Sequence, residues 1–298
     1  MSSVLLVAHH DRPEAAVIAS SAAEWLRAHG HEPWMVPSDA AALGRRDLAA
    51  EHDIGTADLA VSLGGDGTVL RTVKLVSERI GQIENPIPIV GVNVGLLGYL
   101  TEVEPEALSA ALERWFAGAD AGGWHLDERM MLTVTLLRAA GGEGSSAPAE
   151  SWHALNEGVV EKLEAGHTVR LRVAIDGIPF TSYAADGLIL ATPTGSTAYS
   201  MSARGPVLSP RMRAVLLTPV SPHMSFDRSL VIDPSEMVDV EVLGHRSATL
   251  SIDGQPAATL VEGDRVSVAP AQHVARFVRF SDRRFHQILK TKFGLADR

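Results

Sequence analysis

Two hydrophobic periods divide the chain. Up to about residue 124, short apolar runs alternate with stretches in which apolar positions recur every three or four residues. The runs at 4–8, 59–63 and 88–93 predict strands, and 34–36 a weak one. The longer period predicts helices over 14–28 (stopped at Gly30), 68–80 and 106–116, the last followed by a loop at 118–123. Strands that alternate with helices imply a parallel sheet covered on both faces, with ligands at the carboxyl ends of its strands.

Beyond that point the period falls to two. Strands are expected at 131–137, 169–175, 187–191, 238–242, 249–252, 266–268 and 276–280, and Asp176-Gly177 and Asp253-Gly254 stand where hairpin turns belong. Residues 139–149, rich in Gly, Ser, Ala and Pro, read as a mobile surface loop. A last helical period over 282–292 carries a stripe of Phe285, Ile288, Leu289 and Phe293, and its natural partner is the first half. The expected fold is an α/β N-terminal domain with a mostly parallel sheet, plus a β-rich C-terminal domain, the C-terminal helix returning to the first. The expected boundaries are 1–125 with 280–298, and 126–279.

Composition narrows the function. With 298 residues, 46% hydrophobic and 21% charged, the chain can bury a large core. A net charge of −10 without a basic stripe argues against nucleic acid. The absence of cysteine removes disulfides, thiolate metal sites and cysteine nucleophiles, and makes the cytoplasm the default location. No apolar stretch approaches the roughly 20 residues that span a membrane.

The stretch with the strongest chemical signal is 59–68. An apolar run ends in Gly64-Gly65-Asp66-Gly67-Thr68, and a helical period follows. A strand, a glycine turn and a helix N-terminus together offer backbone N–H groups to a phosphate. Glycine removes the Cβ that would block the approach and permits positive φ. A carboxylate repels phosphate, so Asp66 suggests a chemical task, either taking a proton from a hydroxyl or holding a metal. The plainer alternative is a turn in which Asp66 caps the next helix.

Three further stretches stand out. Gly91 to Leu100 is a strand followed by a glycine-punctuated loop with one aromatic, Tyr99. Asn156-Glu157 places an amide beside an acid, which suits either a nucleoside or a turn. Asp186 to Ser200 runs from a strand into a dense hydroxyl, glycine and proline turn, another polar cradle. A Walker loop, a nucleophile elbow and a His-Glu-x-x-His motif are absent, and the 12 histidines lack metal-ligand spacing, so no residue is assigned as a metal ligand.

In this order the motifs resemble the NAD kinase family over nearly the whole chain. They are Gly64 to Thr68, Asn93-x-Gly95-x-Leu97-Gly98-Tyr99, Asn156-Glu157, Asp186-Gly187, Thr192 to Ser200, Thr218-Pro219-x-x-Pro222-His223 and Asp253-Gly254-Gln255. The first motif alone is shared with phosphofructokinases and lipid kinases; the Asn-Glu pair followed by Thr-Pro-Thr-Gly-Ser-Thr-Ala-Tyr is more specific. The resemblance implies phosphorylation of the adenosine ribose 2′-hydroxyl of NAD, with ATP or polyphosphate as donor and Mg²⁺ or Mn²⁺ as the divalent metal. It also implies a homodimer or homotetramer, with no nucleic-acid or membrane partner.

By position, the resemblance makes Asp66 the proton acceptor and Gly64, Gly65, Gly67 and Thr68 the phosphate cradle. Asn156 and Glu157 hold the ribose or adenine side. Asp186 lines the dinucleotide site with Thr197, Ala198, Tyr199, Ser200, Met201 and Ser202, joined by Arg71, Tyr99, His167 and Gln255. Ala184 is placed at a position associated with acceptance of NADH, where Asp186 would favour the cationic oxidised ring. Without a Walker lysine, the triphosphate's charge falls to Mg²⁺, backbone amides and Arg71 or Arg204. The chain departs from the family pattern at three places: Arg204 in place of glycine, Asp227-Arg228-Ser229 in place of an Arg-Pro pair, and Tyr99 where phenylalanine is frequent. The alternatives are a lipid or sugar kinase sharing the glycine motif, and a non-catalytic NAD-binding sensor.

Overall fold

Short β-branched and leucine-rich runs, each bounded by polar turns, set up the first unit. The computed structural model describes residues 1–77, 86–95, 98–139, 149–224, 226–282 and 284–295. Residues 78–80 of the expected 68–80 helix, 140–148 of the expected 139–149 loop, and Leu97 of the glycine motif lie outside them. The chain divides into two units, Met1–Glu128 with Ala275–Arg298, and Arg129–Val274.

The first unit follows the order β1 (Ser3–Ala8), α1 (Pro13–Ala28), β2 (Glu32–Trp34), α2 (Pro37–Ala42), β3 (Leu59–Gly64), α3 (Asp66–Ser77), β4 (Pro88–Asn93), α4 (Leu108–Phe116) and α5 (Ala119–Gly122). Its strands run in the order β2-β1-β3-β4, all parallel, with β1 against β3 from Val4↔Leu59 to Ala8↔Leu63. Every residue of β3 is buried, as a strand covered on both faces requires. Ala15, Ala19, Ala22, Ala23 and Leu26 of α1 pack into the core formed by Val4, Leu6, Val61, Leu63, Val90 and Val92. Small residues there let the helix lie close to the sheet. The weak strand sits at Glu32–Trp34, two residues before its expected start, and the expected 118–123 loop contains the one-turn helix α5.

The second unit contains β5 (His125–Leu137), β6 (Glu150–Ala154), β7 (Glu157–Lys162), β8 (Val169–Ile175), β9 (Ile178–Ala185), β10 (Gly187–Ala191), α6 (Tyr199–Ser202), β11 (Val215–Val220), β12 (Leu230–Ile232), β13 (Val238–Leu243), β14 (Ala248–Ile252) and β15 (Gln255–Leu260). β16 (Arg265–Arg279) follows, and the division between the units falls within β5 and within β16. One antiparallel sheet runs β12-β11-β10-β7-β14-β15, and β13 and β8–β9 pair antiparallel beside the start of β16. Alternate residues of β8 (Val169, Leu171, Val173) join Leu188, Leu190, Val238 and Val240 in a second core.

The two expected hairpin turns have positive φ at both central positions, 48° and 74° at Asp176-Gly177 and 47° and 76° at Asp253-Gly254. That is the primed geometry matching strand twist. The fold is therefore the expected α/β plus β-rich pair. Six further strands, β6, β7, β9, β11, β12 and β15, come from stretches whose apolar signal is short or interrupted by Pro179, Pro219 and Pro256. After β16 the chain ends in α7 (Phe285–Lys292), which belongs to the first unit but buries none of its residues fully.

Candidate active site

The first unit's polar site lies at the carboxyl end of β3. Thr68 N and Val69 N donate to Gly65 O, which starts α3 directly after the strand. A Cβ on Gly64 would overlap the Thr68 side chain, whereas the Cβ positions of Gly65 and Gly67 face open space. None of these three has positive φ. Gly64 serves close packing, Gly65 and Gly67 leave an open face, and the turn itself demands no left-handed backbone.

Asp66 does not cap its own helix. Its carboxylate accepts from Tyr99 N (2.9 Å) and Leu100 N (3.0 Å), and a Cβ on Gly98 would strike it. These contacts fix the carboxylate against the 98–100 turn and leave each oxygen further acceptor capacity. Beside it opens a cavity of about 410 Å³ lined by Gly65, Asp66, Gly67, Thr68, Arg71 and the 9–12 segment.

Arg71 reaches this cavity already engaged. Its Nη1 is 2.5 Å from Oδ1 of Asp39, which is 1% exposed, and its Nη2 donates to Ala8 O at 2.5 Å. His10 Nε2 lies 3.0 Å from the same Asp39 oxygen. Asp39 escaped notice in the sequence because an acid in a short alanine-rich helix carries no motif. Tyr99 meets Phe285 at 6.5 Å between ring centroids, and Lys292 Nζ lies 4.3 Å from its ring centroid.

The second unit's polar site is built around Asp253. Its buried carboxylate accepts from Leu155 N (2.8 Å), Asn156 N (2.7 Å) and Glu157 N (3.0 Å). Burial raises its pKa, and the three amides oppose that shift. Glu157 opens β7 and is buried, with Oε2 unpartnered among the described residues. Burial first, then the Asp253 charge, push its carboxyl up to about 8, opposed by the Tyr199 N–H. At neutral pH it is mainly a protonated carboxyl, able to donate as well as accept.

Most hydroxyls of the 192–200 turn are consumed by bonds within the protein. Thr192 Oγ1 donates to Leu155 O (2.6 Å), Ser196 Oγ to Pro193 O (2.7 Å), and Ser200 Oγ lies 3.0 Å from Thr218 Oγ1. Ser200 is fully buried. Thr197, Ala198, Tyr199, Met201 and Ser202 remain at least partly exposed. A Cβ on Gly195 would overlap the Asn156 backbone, so that glycine brings the two motifs together.

Asp186 pairs with Lys162 Nζ at 2.6 Å, so its charge is compensated and does not stand free to favour a cationic ring. Ala184, on β9, faces Arg170 in register. His167 is exposed between β7 and β8, and Gln255 is exposed at the start of β15, directly after the Asp253-Gly254 turn.

Comparisons with known proteins bear on both units. Residues 4–119 match the family model for the ATP-NAD kinase N-terminal domain, and 155–280 the one for the C-terminal domain. The NAD kinase of Heliobacterium modesticaldum is 40% identical over 295 residues, covering 98% of each chain. That of Geobacter sulfurreducens is 36% identical over 300 residues, covering all of both. Among solved structures, yeast NADH kinase complexed with NADH superposes with a TM-score of 0.86 at 23% identity, covering 100% of this chain and 89% of that one. An Archaeoglobus fulgidus NAD kinase in complex with ATP gives 0.70 at 21% identity, over 99% of each. At such identities these structures speak for the fold.

Proposed function

The chain belongs to the NAD kinase family, and from that premise we propose that the 64–68 cradle takes the donor's phosphates while Asp66 receives the proton of the adenosine ribose 2′-hydroxyl. The protein is a phosphotransferase acting on NAD. ATP is the donor in this reading, with polyphosphate accepted through the same phosphate chemistry. The observation that carries it is the carboxylate of Asp66 beside the open faces of Gly65 and Gly67 in one cavity.

A ribose hydroxyl is a weak nucleophile, and phosphoryl transfer depends chiefly on positioning and on stabilising charge. The α3 N-terminus meets phosphate oxygens with backbone N–H groups and the positive end of its dipole. Asp66, held by Tyr99 and Leu100 amides, takes the proton late, when transfer has already weakened the O–H bond.

A divalent ion belongs to this reading. Among the described residues no three acidic or imidazole groups converge as a cage, so Asp66 would supply one ligand at most and donor phosphates and water the rest. Such an ion neutralises charge on the transferring phosphates. Asn156 and the protonated Glu157 offer a donor and acceptor pair to nucleoside hydroxyls, and the exposed residues of 197–202 complete the dinucleotide contacts. A homo-oligomeric assembly accompanies the reading.

The test is direct. Purified protein is incubated with NAD, Mg²⁺ and either ATP or polyphosphate, and the product is read with an NADP-specific dehydrogenase. The reading predicts NADP with ATP; bound NAD without NADP would leave the sensor alternative standing.

A further inference from the structure

The donor's phosphates need a cation, and Arg71 is the less available of the two arginines at the cavity. Its guanidinium is committed to Asp39, a carboxylate that burial would make costly to leave unpaired. The second nitrogen is spent on the Ala8 carbonyl. Removing Arg71 would leave Asp39 charged and buried with His10 as its remaining neighbour.

Arg12 is placed differently. It precedes Pro13 at the start of α1 in an extended conformation, and its side chain makes no capping bond to that helix. The guanidinium folds instead over Gly95 in the loop after β4, so closely that a Cβ there would overlap it. Gly95 also has φ 114°, a region side chains rarely adopt. Among the described residues no carboxylate pairs with Arg12, and it lines the same cavity as Asp66 and Gly67. A planar fork of donors without an anion, facing a glycine cradle, fits a phosphate oxygen pair.

We infer that Arg12 is a donor-phosphate ligand, that the cavity between the 9–12 segment and the cradle holds the outer phosphates of the donor chain, and that Arg71 acts in positioning. This rests on the phosphotransfer reading above. The shared chemistry is a phosphoanhydride chain, whether from a nucleoside triphosphate or from inorganic polyphosphate. Asp39 then has a stated task. By neutralising Arg71 it keeps that side chain tied to the end of β1, and the adjoining His10 and Arg12 stay beside the cradle.

The experiment compares wild type, Arg12→Ala and Arg71→Met, each checked by thermal melting. Initial rates of NADP formation are measured against ATP, against inorganic polyphosphate and against NAD. For Arg12→Ala, loss of charge-assisted bonds raises the ATP KM by about 10-fold or more, with the NAD KM within about twofold and an unchanged melting temperature. A parallel rise for polyphosphate assigns the cavity to phosphate chains of either source; a rise for ATP alone assigns it to the nucleotide. Arg71→Met lowers the melting temperature and also raises the donor KM, by less than Arg12→Ala does, because His10 and Arg12 are no longer held beside the cradle; a lowered melting temperature with an unchanged donor KM would reject the positioning role.

Should the alanine variant fail to fold, Arg12→Gln keeps the stem and removes the charge. An unchanged donor KM in Arg12→Ala, or an equal rise in the NAD KM, would overturn the inference. If the wild type makes no NADP, the phosphotransfer reading fails by itself. Calorimetric titration of inorganic tripolyphosphate into wild type and Arg12→Ala then still decides whether Arg12 binds phosphate: equal affinities would reject it.

Discussion

The cradle after β3 and the corner around Asp253 look alike in the sequence, since each joins a strand end to glycines, hydroxyls and one acid. Their structures use those residues in opposite ways. In the cradle two glycines face open space and the acid, although held by two amides, borders a cavity. In the corner the acid is buried beneath three backbone amides, and the hydroxyls of Thr192, Ser196 and Ser200 bond within the protein. In the proposed reading the first region receives the phosphates, and the second is a scaffold that offers a few groups, chiefly Asn156, Glu157 and the surface of 197–202. Polar density in a sequence therefore does not measure how much of it is offered to a ligand.

The largest effect expected from breaking this contrast is at Gly67. Its Cβ direction is open, so Gly67→Val leaves the fold in place while filling the phosphate approach. NADP formation should fall by about 100-fold or more, the scale of losing phosphate positioning, with little change in melting temperature. Retained activity would mean that the open face is not where phosphate enters.

At the corner the same kind of change should cost stability. Asp253→Ala leaves the amides of Leu155, Asn156 and Glu157 without their acceptor, a loss of about 3 kcal/mol or more. Chemical denaturation reads this directly, and an undiminished midpoint would show that water replaces the carboxylate at no cost.

A subtler difference concerns pH. Burial pushes the Glu157 carboxyl up to about 8 in the folded state against 4.5 for an ordinary glutamate, so the folded state binds the extra proton. Its contribution to stability is complete below the unfolded pKa and is lost progressively as pH rises through the folded one. Glu157→Gln removes that titration. The difference in unfolding free energy, variant minus wild type, read by chemical denaturation, should therefore grow between about pH 5 and pH 8 and then level, on the order of 5 kcal/mol at most. Parallel profiles would place the charged carboxylate in contact with water.

The smallest effect is expected at the C-terminus. The apolar stripe of α7 suggests a buried helix, yet Phe285, Ile288 and Leu289 are only half-buried and Phe293 is 51% exposed. Phe280, by contrast, packs against the first core beneath the Arg114 guanidinium. Truncation after Ser281 should lower the melting temperature by only about 2–4 °C, and a cut after Arg279, which removes Phe280 as well, by more. Equal effects would mean that the helix itself is the stabilising element.

The layout of strands and helices was readable because buried parallel strands and half-buried antiparallel ones leave different periods. Strands broken by Pro179, Pro219 and Pro256 left no such mark. The cradle and the Asn-Glu pair were legible as motifs with a chemical meaning. What stayed hidden were relations set by tertiary placement: Asp39 under Arg71, Lys162 beside Asp186, and Arg12 over Gly95. Each joins residues distant in sequence through a single charge or close approach, and no local pattern announces such a pair.

In the proposed function the two regions divide the labour, with transfer at Asp66 and dinucleotide recognition at the corner. This division is tested by measuring NAD affinity and turnover together in Asp66→Asn and Glu157→Ala. Asparagine at 66 sets an amide N–H₂ against one of the two loop amides, so a modest drop in melting temperature accompanies it and is recorded beside the kinetics. Asp66→Asn is expected to lose turnover by about 1000-fold or more while its calorimetric Kd for NAD stays within a few-fold. Glu157→Ala weakens NAD binding while its turnover at saturating NAD falls far less. If Asp66→Asn kept half its activity, or lost NAD affinity as severely as Glu157→Ala, the division would be contradicted.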